Sequence, residues 1–378
     1  MMLNFIPEFE LETETYVFFL FCFMVCVQLL YVTLVYARLV FHKEKKIAPV
    51  TRGVSVIIAA RNESENIFKF LPFILEQDYP DFEVVIVNHQ STDDSKFILS
   101  AYKRQYPHLR IIELEKSPHI KFGKKLPITM GVKGAKHEHL LLTDADCKPD
   151  SNQWLRKMVG QFTEKHQIVL GYGPYGKTNG IVNSIIRFDT AWIGMSYLSM
   201  AKAKMPYMGI GRNMGYTKSV FNSVQGFRSH SAISSGDDDL FIQEAAKKKN
   251  YTINVDPETF CYSEAEKTWK DWMSQKSRHY TTAGRYNVIK KMMLGIYPLS
   301  LLIMLGTFVT LLFDTNFLLI SLTLFSFITI VKWIVLGLAF KKLRESKFIA
   351  WLPLLDIGYA LLAPIMYYTI DNTDVKKW

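Results

Sequence analysis

The densest chemistry in this chain lies in seven consecutive residues, Leu140-Leu141-Leu142-Thr143-Asp144-Ala145-Asp146. A hydrophobic strand ends there on two carboxylates separated by one small residue. A hard divalent cation needs oxygen donors on a fixed backbone, with its remaining positions left to water and diphosphate oxygens. Such a cation neutralises the charge that develops on a nucleoside-diphosphate leaving group. Taken alone, the pair reads equally well as solvated acids that cap the following helix.

Other chemistry-bearing residues are less specific. Pro206-Tyr207-Met208-Gly209-Ile210-Gly211-Arg212-Asn213 is small and glycine-rich, and Gly209 and Gly211 suit either a wall against a sugar or acceptor or an ordinary turn. Gly171-x-Gly173-x-x-Gly176 has the spacing of a dinucleotide fingerprint, but Pro174 interrupts it and no helical pattern follows. His137 and His139 point to opposite faces of an extended chain and make no metal pair. Cys147 reads as packing. The cysteines Cys22, Cys26, Cys147 and Cys261 form no metal-like pair, and a disulfide framework is not expected. Lys332 and Asp356 interrupt apolar segments, so they are functional candidates, with snorkelling or a mutual helix contact as the plainer account.

The elements that must hold these residues are legible in the hydropathy pattern. From Val54 to about Val255, β-branched runs (Val54–Ala60, Phe82–Asn88, Arg110–Glu115, His139–Thr143, Ile168–Tyr172) alternate with amphipathic stretches (Glu65–Glu76, Asp93–Gln105, Lys124–Ala135, Asn152–Phe162). This alternation predicts a mostly parallel sheet covered on both faces, with the ligand crevice at the carboxyl ends of its strands. No internal repeat or low-complexity tract intervenes.

The flanks read differently. Tyr16–Val40 is long and apolar enough to span a bilayer as a retained anchor. Glu8, Glu10, Glu12 and Glu14 precede it and basic residues follow, which places residue 41 onward in the cytoplasm. Thr268–Tyr286 mixes Trp269, Trp272, Met273 and Tyr280 with basic residues, as a helix at a membrane interface does. Ile296–Phe313 and Phe317–Phe340 are two further spans. Phe348–Ile370, interrupted by Pro353, Asp356 and Pro364, either crosses or re-enters, and Lys376 and Lys377 favour a cytoplasmic tail. The net charge of +10 is exceeded by the basic excess of residues 38–52, 267–291 and 341–347, all beside apolar runs. The basicity is therefore juxtamembrane, and nucleic acid is not an expected partner.

The motifs fall in an order: Val54–Glu63, Gln77-Asp78-Tyr79-Pro80, Val84–Asp93, Gly123-Lys124-Lys125, Asp144-Ala145-Asp146, Gly236-Asp237-Asp238-Asp239-Leu240 and Gln275-Lys276-Ser277-Arg278-His279. In this order and spacing, across about Val50 to Arg285, the chain resembles the family 2 glycosyltransferases, which have the GT-A fold and invert anomeric configuration. The resemblance implies an α/β, Rossmann-like GT-A domain flanked by N- and C-terminal transmembrane helices. It further implies that Ala60 and Glu63 border the nucleotide, that Asp144 contacts it and that Asp146 holds Mg²⁺ or Mn²⁺. By the same resemblance Lys124 would lie near the diphosphate, although a lone lysine reads more readily as a solvated charge. The resemblance makes Asp237, with Asp238 as rival, the general base that would deprotonate an acceptor hydroxyl; read as acids alone, they only cap the helix before Leu240. One carboxylate opposite the leaving group suffices for inversion by single displacement.

Two positions depart from the family pattern. His89 stands where the family has an aspartate that holds the pyrimidine; it preserves that role, changes the nucleotide or fills a loop. His279 replaces a tryptophan, which argues against processive polymer synthesis, while Gln275 and Arg278 remain; Arg278 meets either the diphosphate or a lipid phosphate.

The expected organisation is an N-terminal acidic segment and anchor (1–48), a catalytic domain (49–266), an amphipathic interface helix (267–291) and a C-terminal region of two or three membrane helices (292–378). The expected activity is metal-dependent, inverting transfer of a sugar from a nucleotide-sugar to a lipid-linked or surface-glycan acceptor of the cell envelope, at the cytoplasmic membrane face. Its rivals are transfer to polyprenyl phosphate and a catalytically silent scaffold.

Overall fold

The computed structural model describes residues 12–44, 52–115, 123–233, 235–247 and 249–369. Glu8, Glu10, Lys45, Lys46, Lys376 and Lys377, used above to orient the chain, lie outside them. The described residues fall into two units, one within Met1–His42 and Asn287–Ile370, the other within Lys43–Tyr286.

The first unit is helical. Helix α1 runs over Thr13–Tyr31 and continues through a π turn, Val32–Tyr36, into Ala37–Val40. Among the described residues of this unit, four stretches are long and apolar enough to cross a membrane: Thr13–Val40, Val288–Leu311, Leu318–Lys342 and Ser346–Met366.

The second unit is built on a seven-stranded sheet, in the order β3-β2-β1-β4-β7-β6-β8. Strands β1 (Val54–Ala60), β2 (Phe82–His89), β3 (Leu109–Leu114) and β4 (His139–Asp144) are parallel neighbours, as their β-branched runs predict. Every residue of β1 is buried, which is what a strand covered on both faces requires. Each of its Val and Ile side chains contributes about 1.5–3 kcal/mol by leaving water. Register aligns the carboxyl ends: Ala60 pairs with Asn88, and Ala59 with Asp144. A two-stranded ribbon of β5 (Cys147–Pro149) and β9 (Cys261–Ser263) follows the Asp144–Asp146 turn and sets Cys147 opposite Ser263.

The sheet is not wholly parallel. Between β4 and β6 (Ile168–Leu170) lies β7 (Met214–Thr217), which runs against both, while β8 (Tyr251–Ile253) runs with β6. Because β7 is reversed, its beginning lies where β4 ends: Met214 pairs with Leu142. The reversal brings Gly211–Asn213, just before β7, to the same sheet edge as Asp144.

Helices α2 (Ser64–Leu75), α3 (Ser95–Gln105), α4 (Lys125–Gly134), α5 (Trp154–Val159), α6 (Ile181–Lys202), α7 (Lys218–Ser223), α8 (Asp239–Ala245) and α9 (Trp269–Ala283) complete this unit. The α2 sequence buries Ile67, Phe70, Leu71, Ile74 and Leu75, the spacing of one helical face. Pro72 inside α2 has no N–H for the Phe68 carbonyl. The Tyr102 hydroxyl of α3 donates to that carbonyl instead, at 2.9 Å. Helix α9, read from sequence as an interface helix, buries Trp272, Lys276, Ser277 and Thr282 in this unit and leaves Trp269 exposed. Its buried Lys276 pairs with Asp189 of α6.

The membrane-compatible unit continues with α10 (Val288–Leu311), α11 (Leu318–Lys342), a 3-10 turn (Ser346–Trp351) and α12 (Leu352–Thr369). Pro353 falls in the first turn of α12, where a missing N–H does no harm. Asp356 pairs with Lys332 of α11 at 2.6 Å, so the mutual contact holds for these two residues. The Tyr297 hydroxyl of α10 also donates to Asp356, at 2.9 Å. From α1, Gln28 donates to the Tyr297 carbonyl at 2.8 Å and to the Ser300 hydroxyl at 2.7 Å. The π turn follows directly, and the rings of Tyr31 and Tyr36 lie 5.3 and 5.2 Å from that of Tyr297. One buried polar cluster thus joins all four long helices.

Candidate active site

The turns that leave β1 and β2 hold each other. Asn62 donates its backbone N–H to Ser91, and its side-chain oxygen accepts from Thr92 N–H at 2.8 Å. Ser64 N–H donates to Asp93 at 2.9 Å. Asn62 (φ 53°) and Gln90 (φ 57°) both occupy the left-handed region, a strain that polypeptides keep mainly at functional turns. Ala60 is buried where β1 ends, and Glu63 leads into α2. His89 is fully buried where β2 ends; burial and then the charge of Arg61 hold it below its ordinary value, which keeps the imidazole neutral.

Asp144 and Asp146 leave β4 as expected. Their carboxylates and the Cys147 thiol lie within 4.8 Å of one another, and two oxygen donors so placed suit a hard divalent cation. Ser263 of β9 donates to Asp146, and the Cys147 thiol does so at 3.4 Å. Lys124 donates to Asp144 at 2.7 Å, and about a quarter of each side chain is open, 27% for both. Burial alone would raise Asp144, but the charges of Lys124, Arg212 and Arg278 hold its carboxyl below the usual range. Glu63 belongs to the same field: burial raises it, and Asp146 and Asp144 add to the rise, against its hydrogen bond from Asn66 and the charge of Lys124.

The structure separates the three acids of the late cluster. Gly236 at φ 98° turns the chain ahead of them, and a Cβ there would meet the Leu240 side chain at 2.7 Å. Asp239 faces inward, where Leu240 N–H (2.7 Å), Thr282 and Tyr286 (2.7 Å) donate to it. Asp238 precedes α8 and accepts from Asp239 N–H at 2.7 Å and Gly211 N–H at 3.1 Å. Among the described residues, no other residue donates a hydrogen bond to the Asp237 carboxylate. Burial raises Asp237, the charge of Lys124 lowers it, and Asp144 and Asp239 raise it further. Burial, with Asp237 and Asp239, pushes Asp238 up to about 8.

The remaining expected residues are placed unevenly. A Cβ on Gly211 would lie 3.6 Å from Asp237 and 3.8 Å from Asp238, so this glycine borders the acidic turn. Gly209 instead packs against Ile242, Leu170 and Met214. On α9, Gln275 accepts from the Tyr175 hydroxyl at 3.2 Å, and half-exposed Arg278 acts on Asp144 and on Lys124.

Sequence reasoning missed two residues here. Buried Arg212 donates to the Gly173 carbonyl at 2.9 Å and stacks its guanidinium 4.1 Å from the Tyr175 ring, as a fixed cation beside the acidic pair. Asn213, fully buried, donates to the carbonyls of Tyr172 and Thr259, both at 2.7 Å, and accepts from Trp154 at 3.0 Å. The signal lay in Gly171 and Gly173, where a Cβ would strike Asn213 and Arg212. The glycine spacing, set aside as a nucleotide fingerprint, is room for these two side chains.

Against known proteins, the model of "Glycosyl transferase family 2" matches residues 55–224. The poly-beta-1,6-N-acetyl-D-glucosamine synthase of Staphylococcus epidermidis is 30% identical over 100 residues, 26% of this chain and 23% of that protein. The beta-monoglucosyldiacylglycerol synthase of a Nostoc species is 30% identical over 122 residues, 30% of this chain and 24% of that protein. The chain thus matches less than a quarter of the length of either relative. Among solved structures, a mannosyltransferase from Pyrobaculum calidifontis in complex with GDP-Man and Mn²⁺ superposes with a TM-score of 0.55 at 19% identity, covering 88% of this chain and 99% of that one.

Proposed function

We propose that this chain, a family 2 glycosyltransferase of GT-A fold, moves one sugar from a nucleoside-diphosphate donor to a lipid-linked or surface-glycan acceptor, with inversion, at the cytoplasmic face of a membrane. The observation that carries the reading is the division of labour among acids at one sheet edge. Asp144 is paired with Lys124 and Asp146 is held by the Ser263 hydroxyl and the Cys147 thiol, whereas among the described residues Asp237 accepts from no other residue.

Asp146, with Asp144, would hold a divalent cation, which when bound neutralises charge on the diphosphate. Lys124, Arg212 and Arg278 surround the same place with positive charge, fixed before donor arrives, so little reorganisation is needed as the leaving group develops charge. The nucleoside lies between the β1 and β2 turns, against Ala60, Glu63 and neutral His89. Asp237 takes the proton of the acceptor hydroxyl as its oxygen attacks the anomeric carbon. A carboxyl raised by burial suits that task near neutral pH better than an ordinary aspartate. Gly211, with no side chain, leaves the approach to Asp237 open. Asp238, committed to two backbone N–H groups, fixes the turn. The four long apolar helices support a membrane location and a lipid-linked acceptor.

The test is nucleoside-diphosphate release by the full chain in detergent across a panel of nucleotide-sugars with Mn²⁺ or Mg²⁺, beside Asp146→Asn. Metal-dependent turnover of one donor, lost in the variant, supports the reading and names the sugar. Silence across the panel with no nucleotide bound contradicts it and favours a scaffold. A product labile to mild acid would move the acceptor to a polyprenyl phosphate.

A further inference from the structure

Helix α4 begins with two lysines that do opposite things. Lys124 faces Asp144, with 27% of its side chain open. Lys125, the next residue, is 8% exposed and points away from solvent. Its ammonium donates to the His230 carbonyl at 2.5 Å and to the Ile233 carbonyl at 2.9 Å. Among the described residues, no carboxylate lies within ion-pair distance of it.

This is an unusual place for a cation. A helix N-terminus already carries positive partial charge, so lysines there are mildly destabilising, and α4 has no acidic residue in its first turn to offset them. Burying an ammonium costs more again unless its protons find acceptors. Here the acceptors are the carbonyl that ends the 3-10 turn Arg228–His230, which also accepts from Ile233 N–H at 3.2 Å, and the Ile233 carbonyl beyond it. Beyond Ile233 the sequence reaches Gly236, with φ 98°, and then Asp237. The acids around Lys125 are those of this turn, Asp237, Asp239 and Asp238, together with Glu244 of α8.

We infer that Lys125 is a positioning residue for the acidic turn: its buried ammonium clamps the His230 and Ile233 carbonyls and so fixes where Asp237 stands. Consecutive lysines on one helix end then hold the two halves of the site. Lys124 anchors the donor side at Asp144, and Lys125 anchors the segment that delivers the acceptor-side carboxylate. The spacing between the halves is set by one backbone step. This inference rests on the reading of Asp237 as the base.

The experiment compares Lys125→Met, Lys125→Gln, Asp237→Asn and the Lys125→Met/Asp237→Asn pair in the full chain. It reads kcat, donor KM and the affinity for whichever of UDP and GDP binds the wild type with Mn²⁺. A displaced base at fixed donor geometry predicts that Lys125→Met lowers kcat about 10- to 100-fold. Donor KM and nucleotide affinity should stay within about twofold, because the donor side is held by Lys124 and Asp144. Lys125→Gln, whose amide still donates, should recover part of the loss. The double variant should be no slower than Asp237→Asn alone, since a base that is gone cannot be misplaced.

Unchanged kcat in Lys125→Met overturns the inference. Losses that multiply in the double variant overturn it too, as does nucleotide affinity that falls in parallel with kcat in both Lys125 variants, which would mark a general structural role. Full activity in Asp237→Asn sinks the base reading itself, and this inference with it. A dead Asp237→Asn beside an unaffected Lys125→Met removes only the positioning role.

Discussion

Lys124–Asp144 and Lys332–Asp356 are ion pairs of nearly equal length, 2.7 and 2.6 Å, in different surroundings. The first leaves 27% of each side chain open and lies at a sheet edge among Arg212, Arg278, Glu63 and Asp237. The second leaves 7% and 4%, and Tyr297 fills the remaining space with a hydrogen bond to Asp356 and a ring 5.1 Å from the ammonium. An open pair in a strong field can exchange one partner for a ligand's charge at small loss. A sealed pair cannot, because removing either member leaves the other charged and unsolvated. On the proposed reading, the same two residue types make a site in one unit and a fastener in the other.

The largest effect should come from the open side. Asp237→Asn should lower kcat by about 10²- to 10⁴-fold while nucleotide binding persists, a split visible by comparing initial rates with equilibrium titration. Next comes the sealed pair. Lys332→Met strands Asp356 and should cost about 3–5 kcal/mol, read as a lower Tm of the detergent-purified protein. Adding Asp356→Leu should restore most of that loss, and failure to do so would mean the pair is more than a fastener.

Smaller effects sharpen the contrast. Lys124→Met should leave stability within about 1 kcal/mol, because its pair is partly open. It should still weaken nucleoside-diphosphate binding by about 10-fold or more through loss of a charge-assisted contact, measured by titration calorimetry. Least in magnitude is a pH effect on stability. Burial, then Asp144 and Asp239, raise Asp237 despite Lys124, so the folded protein keeps this proton at pH values where the unfolded chain has released it. That linkage favours folding below the ordinary aspartate pKa and is lost as pH rises through the raised one. Asp237→Asn should therefore be at least as stable as wild type at pH 8, with the advantage shrinking toward pH 4, as thermal melts would register.

Several elements were legible because their signal is local. The Leu140–Asp146 strand announces itself by an apolar run that ends in acids, and β1 by its β-branched residues. Strand β7 was not legible: four residues, Met214–Thr217, carry too short a pattern to show that they run against the sheet. Arg212 was consequently read only as part of a glycine-rich stretch, either a wall or an ordinary turn, when the reversal of β7 brings it to the acidic pair. The sorting of Asp237, Asp238 and Asp239 depends on Thr282 and Tyr286, 43 and 47 residues beyond the acid they bind. No spacing rule reaches that far. Lys125 was not singled out, since nothing in two adjacent lysines tells the buried one from the open one. In the apolar segments the interruptions were visible, but only packing shows that Pro353 falls in a first turn and that Asp356 has found Lys332.

The central claim is that the open pair belongs to a metal and donor site and the sealed pair does not. Calorimetric titration of UDP and GDP into the full chain, with and without Mn²⁺, tests it most directly when wild type, Asp146→Asn and Lys332→Met/Asp356→Leu are run together. The account predicts metal-dependent nucleotide binding in wild type and in the sealed-pair double variant, and its loss in Asp146→Asn. Nucleotide binding with unchanged metal dependence in Asp146→Asn would contradict it.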